Sequence, residues 1–177
     1  MSTIAEADSD APPAVPGSVE LTYRTERIHM GVQVADVLNQ VAEAAKSSGK
    51  FGAVRIEGGM LKCAAPESAE PADYRISPDD KGGLWVELVT EDRWLSGSIE
   101  GELVHSGDKI NELIDEELAD LGWNGEASSF EHFRSEDLLY TFRSSIPSHG
   151  PEDVAKWLMA YELVFGELGD MAGGDDD

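Results

Sequence analysis

Two short β-type runs joined by a pair of glycines constrain the fold of this chain more than any other feature of its sequence. The runs "FGAVRIE" (residues 51–57) and "MLKCAA" (residues 60–65) are separated by Gly58 and Gly59. Two consecutive glycines favour the two-residue turn with positive φ angles that joins antiparallel strands. The sequence therefore predicts a β-hairpin and, with it, an antiparallel sheet.

Further β-type segments extend this sheet toward the C-terminus. Polar turn sequences separate them, such as "PDDKGG" and the acidic pair Glu136 and Asp137. The predicted strands are "DYRIS" (73–77), "LWVELVT" (84–90), "RWLSGSIEGELVH" (93–105), "FEHFRS" (130–135) and "LLYTFRSS" (138–145).

The segment at residues 93–105 shows the alternation of a strand with one wet face. Leu95 and Ile99 point to one side, while Ser96 and Ser98 point to the other. We therefore expect a hairpin between this strand and the strand before it, with its serine side in solvent.

Three segments have helical periodicity. Apolar residues recur at helical spacing within residues 30–48, and a second helix is predicted from an N-cap at Asp108 to a stop at Gly122. A third begins at Pro151, a residue favoured in the first turn, and runs through "EDVAKWLMAYELVFGEL". The order helix, strands, helix, two strands, helix predicts an α+β fold in which three helices pack on an antiparallel sheet.

The 177 residues suit a single domain once flexible ends are set aside. Residues 1–17 and 170–177 are rich in Ala, Pro, Ser, Gly and acids, so both are predicted to be disordered acidic tails around a domain at 18–169. The N-terminal sequence has neither a signal peptide nor a membrane span, and Cys63 is the only cysteine. We therefore expect a cytoplasmic protein.

Charge limits the classes of partner. The chain has 36 acidic and 13 basic residues, a net charge of −23. This charge repels nucleic acid and anionic membranes and favours basic proteins or peptides as partners. The alternative is that the acidity is a proteome-wide adaptation to salt, which composition does not distinguish from partner binding.

The predicted helix at residues 108–121 carries most of its acids on one side. On a helical wheel, Glu112, Glu116 and Asp120 lie opposite an apolar arc, whereas Glu117 lies at the margin of that arc. These carboxylates are interpreted as a solvated surface, and the alternative is a docking surface for a basic partner. No metal-binding loop or ligand spacing accompanies them.

Chemical motifs are missing from the sequence. "SGSIEG" has Ile99 where a nucleophile elbow needs serine, and the four histidines have no ligand spacing. Cys63 lies in an apolar run, so a thiol nucleophile with His132 as its base is the less favoured interpretation. We predict no catalytic residue, cofactor or metal, and an active site assembled from distant residues stays open.

The last predicted helix has more apolar surface than one core can cover. A broad arc from Val154 to Leu168 suffices for docking on the sheet, yet Ala155, Met159 and Leu163 form a second apolar stripe. Another part of the chain, a second subunit or a client protein could cover this stripe. The candidate partner-binding residues are Met159, Leu163, Ala155, Glu112, Glu116, Glu117 and Asp120.

The order of elements resembles the type III secretion chaperone-like fold, which includes the YbjN-type sensory-transduction regulators. The segments that carry the resemblance are "VADVLNQVAEAA", "GLWVELVTEDRWLSGSIEGELV", "INELIDEELADLGW" and "LLYTFRSSIPSHGPEDVAKWLMAYELV". The resemblance implies a non-enzymatic, commonly dimeric cytoplasmic protein that holds an extended segment of another protein.

Three hypotheses of function follow. The first is a chaperone-like or adaptor module that binds a segment of a partner protein. The second is an acidic inhibitor or immunity-type protein that neutralises a basic partner, and the third is an enzyme whose site the sequence does not reveal. Binding by charge weakens steeply with salt, whereas apolar burial is not screened, so salt dependence separates the first two.

Overall fold

The structure is a computed structural model that describes residues 17–66, 71–106, 109–127 and 129–168. Within these ranges, side chains are described from residue 33 onward, apart from Trp94 and residues 102–106. The predicted tails lie outside the described residues, except that Gly17 begins the first helix.

The fold is α+β, as predicted, and it is built on one antiparallel six-stranded sheet. The strands lie in the order β1-β2-β3-β4-β6-β5. Within the described ranges, four helices accompany the sheet, whereas three were predicted. The elements are α1 (Gly17–Ser48), β1 (Val54–Glu57), β2 (Met60–Ala64), β3 (Ala72–Pro78), β4 (Leu84–Thr90), α2 (Arg93–Ser106), α3 (Ile110–Asp120), β5 (Phe130–Arg134), β6 (Tyr140–Ile146) and α4 (Pro151–Leu168).

The glycine pair forms the predicted hairpin. Gly58 and Gly59 have φ angles of 59° and 77°, and Glu57 pairs with Met60 across the turn. Positive φ strains most residues but not glycine, so these two positions determine where β1 turns into β2.

The predicted strand at residues 93–105 is wrong, because this segment forms the helix α2. Leu95 and Ile99 are four residues apart, a spacing that puts two side chains on one side of either a strand or a helix. Ser96 decides between them: it was predicted to face solvent, yet it is 2% exposed, and Ile99, three residues later, is 0% exposed. Residues three apart share a side only on a helix, so the predicted hairpin with β4 is also wrong.

Two helix starts differ from the prediction. The first helix extends back to Gly17, well before residue 30. The second predicted helix is α3, which begins at Ile110 with Lys109 in the N-cap position and no side-chain cap. The predicted N-cap, Asp108, lies outside the described residues. The predicted stop of α3 is confirmed: Gly122 has a φ of 79°, and its N–H donates to the carbonyl of Ala119.

The core lies between the sheet and the helices. Helix α4 is central: it contacts β3 and β4 below and α1, α2 and α3 beside it. Its side chains Trp157 and Tyr161 are fully buried. The Tyr161 hydroxyl donates to Ser144 Oγ on β6 at 2.7 Å, so a polar bond fixes α4 over the middle of the sheet.

Candidate functional site

A row of core residues on the sheet continues into solvent at the edge strand β1. Pairing across the strands aligns Ile56 with Leu61, Leu61 with Ile76, and Ile76 with Val86. The last three are 0% exposed, but Ile56 is 41% exposed. The helix layer therefore stops short of the sheet edge at this point.

The uncovered corner is a groove between α1 and two hairpin turns. Its volume is about 360 Å³, within the usual range of ligand-binding cavities. One wall comes from α1, and the other comes from the β1–β2 and β3–β4 turns. The lining residues are Val34, Ala35, Leu38, Asn39, Ile56, Gly59, Pro78, Asp79, Asp80 and Gly82.

The helix α1 supplies an apolar wall because Val34 and Leu38 are one turn apart on the same side. Leu38 is 1% exposed and belongs to the core, whereas Val34 is half-buried at its margin. Together with Ile56, they give the groove an apolar floor that is continuous with the core.

The rim of the groove is acidic. The Asp79 carboxylate accepts hydrogen bonds from the N–H of Gly83 at 2.7 Å and of Lys81 at 2.8 Å. These bonds, that from Gly83 first, lower the pKa of Asp79, so its charge is fixed at neutral pH. Asp80 beside it is exposed. The groove therefore combines an apolar floor with a negative rim, which suits an apolar side chain next to a basic one.

The predicted acidic surface on α3 is confirmed for Glu112, Glu116 and Asp120, which are all exposed. Glu112 forms an ion pair with Lys109 at 2.9 Å. No three His, Cys, Asp or Glu side chains of the described residues come together in a way that could hold a metal ion.

Glu117 occupies the margin that its position on the helical wheel predicts. It is half-buried, and burial raises its pKa. The neighbouring carboxylates of Glu167, Asp120 and Glu116 raise it further, while Lys50 acts in the opposite direction. The interface between α3 and α4 therefore contains a cluster of negative charge.

The second apolar stripe of α4 is partly covered by the chain itself. Ala155, Met159 and Leu163 are half-buried, and Ala155 packs against the core. Helices α1 and α3 both contact α4, and Lys50 after α1 forms an ion pair with Glu162 at 3.0 Å. That a partner contacts this stripe stays a prediction.

Sequence reasoning missed the groove. Ile56 was placed in a strand and Leu38 in a helix, and both placements are confirmed. "PDDKGG" was placed in a turn, which is confirmed except for Pro78, the last residue of β3. No local pattern indicates that α1 leaves the β1 edge uncovered, because this depends on how the helix crosses the sheet.

Cys63 and His132 do not form a catalytic pair. They lie on β2 and β5, four strand positions apart, or roughly 19 Å at the usual spacing. Burial raises the pKa of the Cys63 thiol to about 12, so it stays protonated at neutral pH. His132 stacks on Phe142, with ring centroids 4.0 Å apart, and burial lowers its pKa.

Two more findings bear on function. Among the helices in the described ranges, none has both the length and the apolar character needed to cross a membrane. Comparison of the chain with protein-family models, curated proteins and solved structures finds no match.

Proposed function

We propose that this protein is a non-enzymatic, chaperone-like or adaptor module of the cytoplasm that holds a segment of a partner protein in the groove beside α1. The observation that carries the proposal is the exposure of Ile56 at the end of a fully buried apolar row. When a partner side chain covers an apolar surface that is continuous with the core, the burial stabilises the complex. The resemblance to the type III secretion chaperone-like fold belongs to the same proposal.

The charges around the groove define the chemistry of the bound segment. Asp79 and Asp80 stand at the rim, and the whole chain carries a net charge of −23. A segment with one or two large apolar residues flanked by lysine or arginine fits both features. The apolar residues supply affinity, and the flanking cations supply orientation and a faster encounter.

The proposal is tested by selecting binders from a random 12-residue peptide library, with the immobilised protein as bait. We expect the enriched peptides to combine apolar and basic residues and the Ile56→Glu variant to bind them at least tenfold more weakly. The matched control is Leu138→Glu, because Leu138 is also exposed, at 61%, but lies in the β5–β6 turn away from the groove. Equal binding to wild type and Ile56→Glu refutes the groove.

An acidic inhibitor is the second candidate, favoured by the exposed carboxylates of α3. Its binding rests on charge, so peptide affinity should fall steeply as salt rises and depend on Glu112 and Glu116. Peptide binding in the groove should instead weaken only a fewfold as salt rises, and it should depend on Ile56. An enriched set of peptides without cations or apolar residues contradicts both candidates.

A further inference from the structure

The face of the sheet opposite the helices carries one row of charges that crosses all six strands. Strand pairing aligns Arg55 with Lys62, Lys62 with Arg75, Arg75 with Glu87, Glu87 with Arg143, and Arg143 with Glu131. Four of the 13 basic residues of the chain therefore lie in a single row. Of the side chains described on this face, only Val89 and Thr141 are buried.

Each cation of the row already has a carboxylate on the same face. Arg55 and Lys62 pair with Glu57 at 3.3 Å and 3.2 Å, and Arg75 pairs with Asp73 at 3.4 Å.

The fourth cation is held most firmly. Arg143 donates from Nε and Nη2 to Glu131 at 2.9 Å and 2.8 Å. Its guanidinium lies 4.2 Å from the ring centroid of Trp85 and 4.8 Å from that of Phe133.

This face is electrically neutral on a strongly acidic protein. Its four basic residues are balanced by four acids, Glu57, Asp73, Glu87 and Glu131. Subtracting both sets leaves 9 basic and 32 acidic residues, so the net charge of −23 resides entirely on the rest of the chain. An identical copy meets net repulsion on an acidic surface such as α3, whereas the charges of this face sum to zero and give no net repulsion.

We propose that this face, the open sheet face, binds a second copy of the same chain. The two sheets pack face to face around a twofold axis that runs parallel to the strands, between β3 and β4. Sheets that pack face to face keep their strands within about 30° of each other, which this axis allows.

The order of charges along the row selects this axis. Rotation about this axis places β1 over β5 and β3 over β4 of the other copy. Arg55 therefore faces Glu131 of the partner subunit, and Arg75 faces Glu87 of the partner subunit. Lys62 faces Arg143 of the partner subunit, so four of the six opposing positions carry opposite charges. A twofold axis perpendicular to the strands instead puts every residue of the row opposite its own copy, which is repulsive throughout.

The size and chemistry of the face fit a subunit better than an acidic ligand. Six strands at about 4.8 Å spacing and up to seven residues in length give roughly 500 Å² of projected area. The accessible surface is larger because side chains corrugate it, and a stable interface buries about 800 Å² per partner. An acidic ligand would have to displace a carboxylate from each cation, whereas a second copy leaves these pairs intact.

The decisive test exchanges charges at positions 55 and 131. They lie at opposite edges of one sheet, about 24 Å apart by strand spacing, and meet only across the proposed axis. We expect sedimentation in about 0.15 M salt to show a wild-type dimer and each of Arg55→Glu and Glu131→Arg to raise the dimer Kd at least tenfold. An equimolar mixture of the two variants should form a heterodimer within about threefold of the wild-type Kd, because one edge pair is then restored in reversed sense and the other is the wild-type pair of Arg55 with Glu131.

The controls are matched in charge. Arg134→Glu and Glu136→Arg change the net charge equally at exposed positions outside the row, and they should leave the Kd unchanged. Circular dichroism confirms that each variant is folded. A monomeric wild type at about 100 µM, or a mixture that stays monomeric, overturns the proposal. So does a dimer that Met159→Glu with Leu163→Glu dissociates while Arg55→Glu does not, since the interface is then the stripe on α4.

Discussion

The hydrogen bond between Tyr161 and Ser144 should make a measurable contribution to stability, and a double-mutant cycle isolates it. Both residues are 0% exposed and their oxygens are 2.7 Å apart. Burial raises the pKa of the Tyr161 phenol far above its usual range, so the hydroxyl is protonated and acts as the donor. Neither oxygen can turn to bulk water when the other is removed.

Each single change should therefore cost more than an exposed hydroxyl would. Tyr161→Phe should lower the free energy of unfolding by about 1–2 kcal/mol, and Ser144→Ala by about 1–3 kcal/mol because it leaves the phenol unpaired. The double variant removes both groups and should cost at least about 1 kcal/mol less than the sum. Urea unfolding followed by circular dichroism measures all four proteins.

A second pair in the same protein provides the control. Ser129 and Ser145 Oγ are 2.8 Å apart, nearly the same distance, but this pair is exposed to solvent. Because water replaces either partner there, the cycle of Ser129→Ala and Ser145→Ala should show a coupling below about 0.5 kcal/mol. Additive effects of Tyr161→Phe and Ser144→Ala would refute the reasoning that burial gives this hydrogen bond a measurable contribution to the free energy of unfolding.

Three further predictions concern single side chains. Leu118→Ala should lower the free energy of unfolding by about 2–5 kcal/mol, because Leu118 on α3 is 0% exposed. Leu138→Ala should be nearly neutral, because Leu138 is 61% exposed, and urea unfolding measures both variants. Leu138→Gly should gain about 0.5–1 kcal/mol in thermal or urea unfolding, because Leu138 has a φ of 65° that glycine adopts without strain. The raised pKa of Glu117 means that its contribution to stability is present below the unfolded-state pKa and is lost as pH rises through the folded-state pKa. Glu117→Gln should therefore stabilise the protein at about pH 7, by about 0.2–0.5 kcal/mol, because it removes a charge that burial, Glu167 and Asp120 all disfavour. The gain should be smaller at about pH 4, as melting temperatures at the two pH values would show. An equal gain at both pH values, a destabilising Leu138→Gly or a neutral Leu118→Ala would each contradict its prediction.

Local signals in the sequence were sufficient to predict secondary structure wherever the pattern fitted only one type of element. Gly58 and Gly59 predicted the first hairpin, and Pro151 predicted the start of α4. The prediction for α2 was wrong because the spacing of Leu95 and Ile99 fits both the helical and the strand period. Only the burial of Ser96 distinguishes a helix from a strand here. That burial depends on neighbours that are distant in the sequence.

The surfaces that carry the two proposals depend on long-range geometry. Ile56 is an ordinary strand residue until the path of α1 leaves it uncovered. Arg55 and Glu131 are 76 positions apart, and they fall in one row only because five successive strand pairings share a register. A sequence read alone supplies strands but not their register, so neither surface was predictable.

The pairing of β4 with β6 has a consequence for how the chain folds during synthesis. The first four strands form a meander of neighbouring hairpins, whereas Thr90 must find Tyr140 across the whole of α2, α3 and β5. Closing a loop of about 50 residues costs roughly 2 kcal/mol more than closing a hairpin turn. Helix α4, which carries Trp157 and Tyr161 into the core, follows all six strands along the chain. The nascent sheet therefore leaves the ribosome before α4 can cover its part of the apolar side, and a holdase or slowed translation before α4 should decide how much of the chain escapes aggregation.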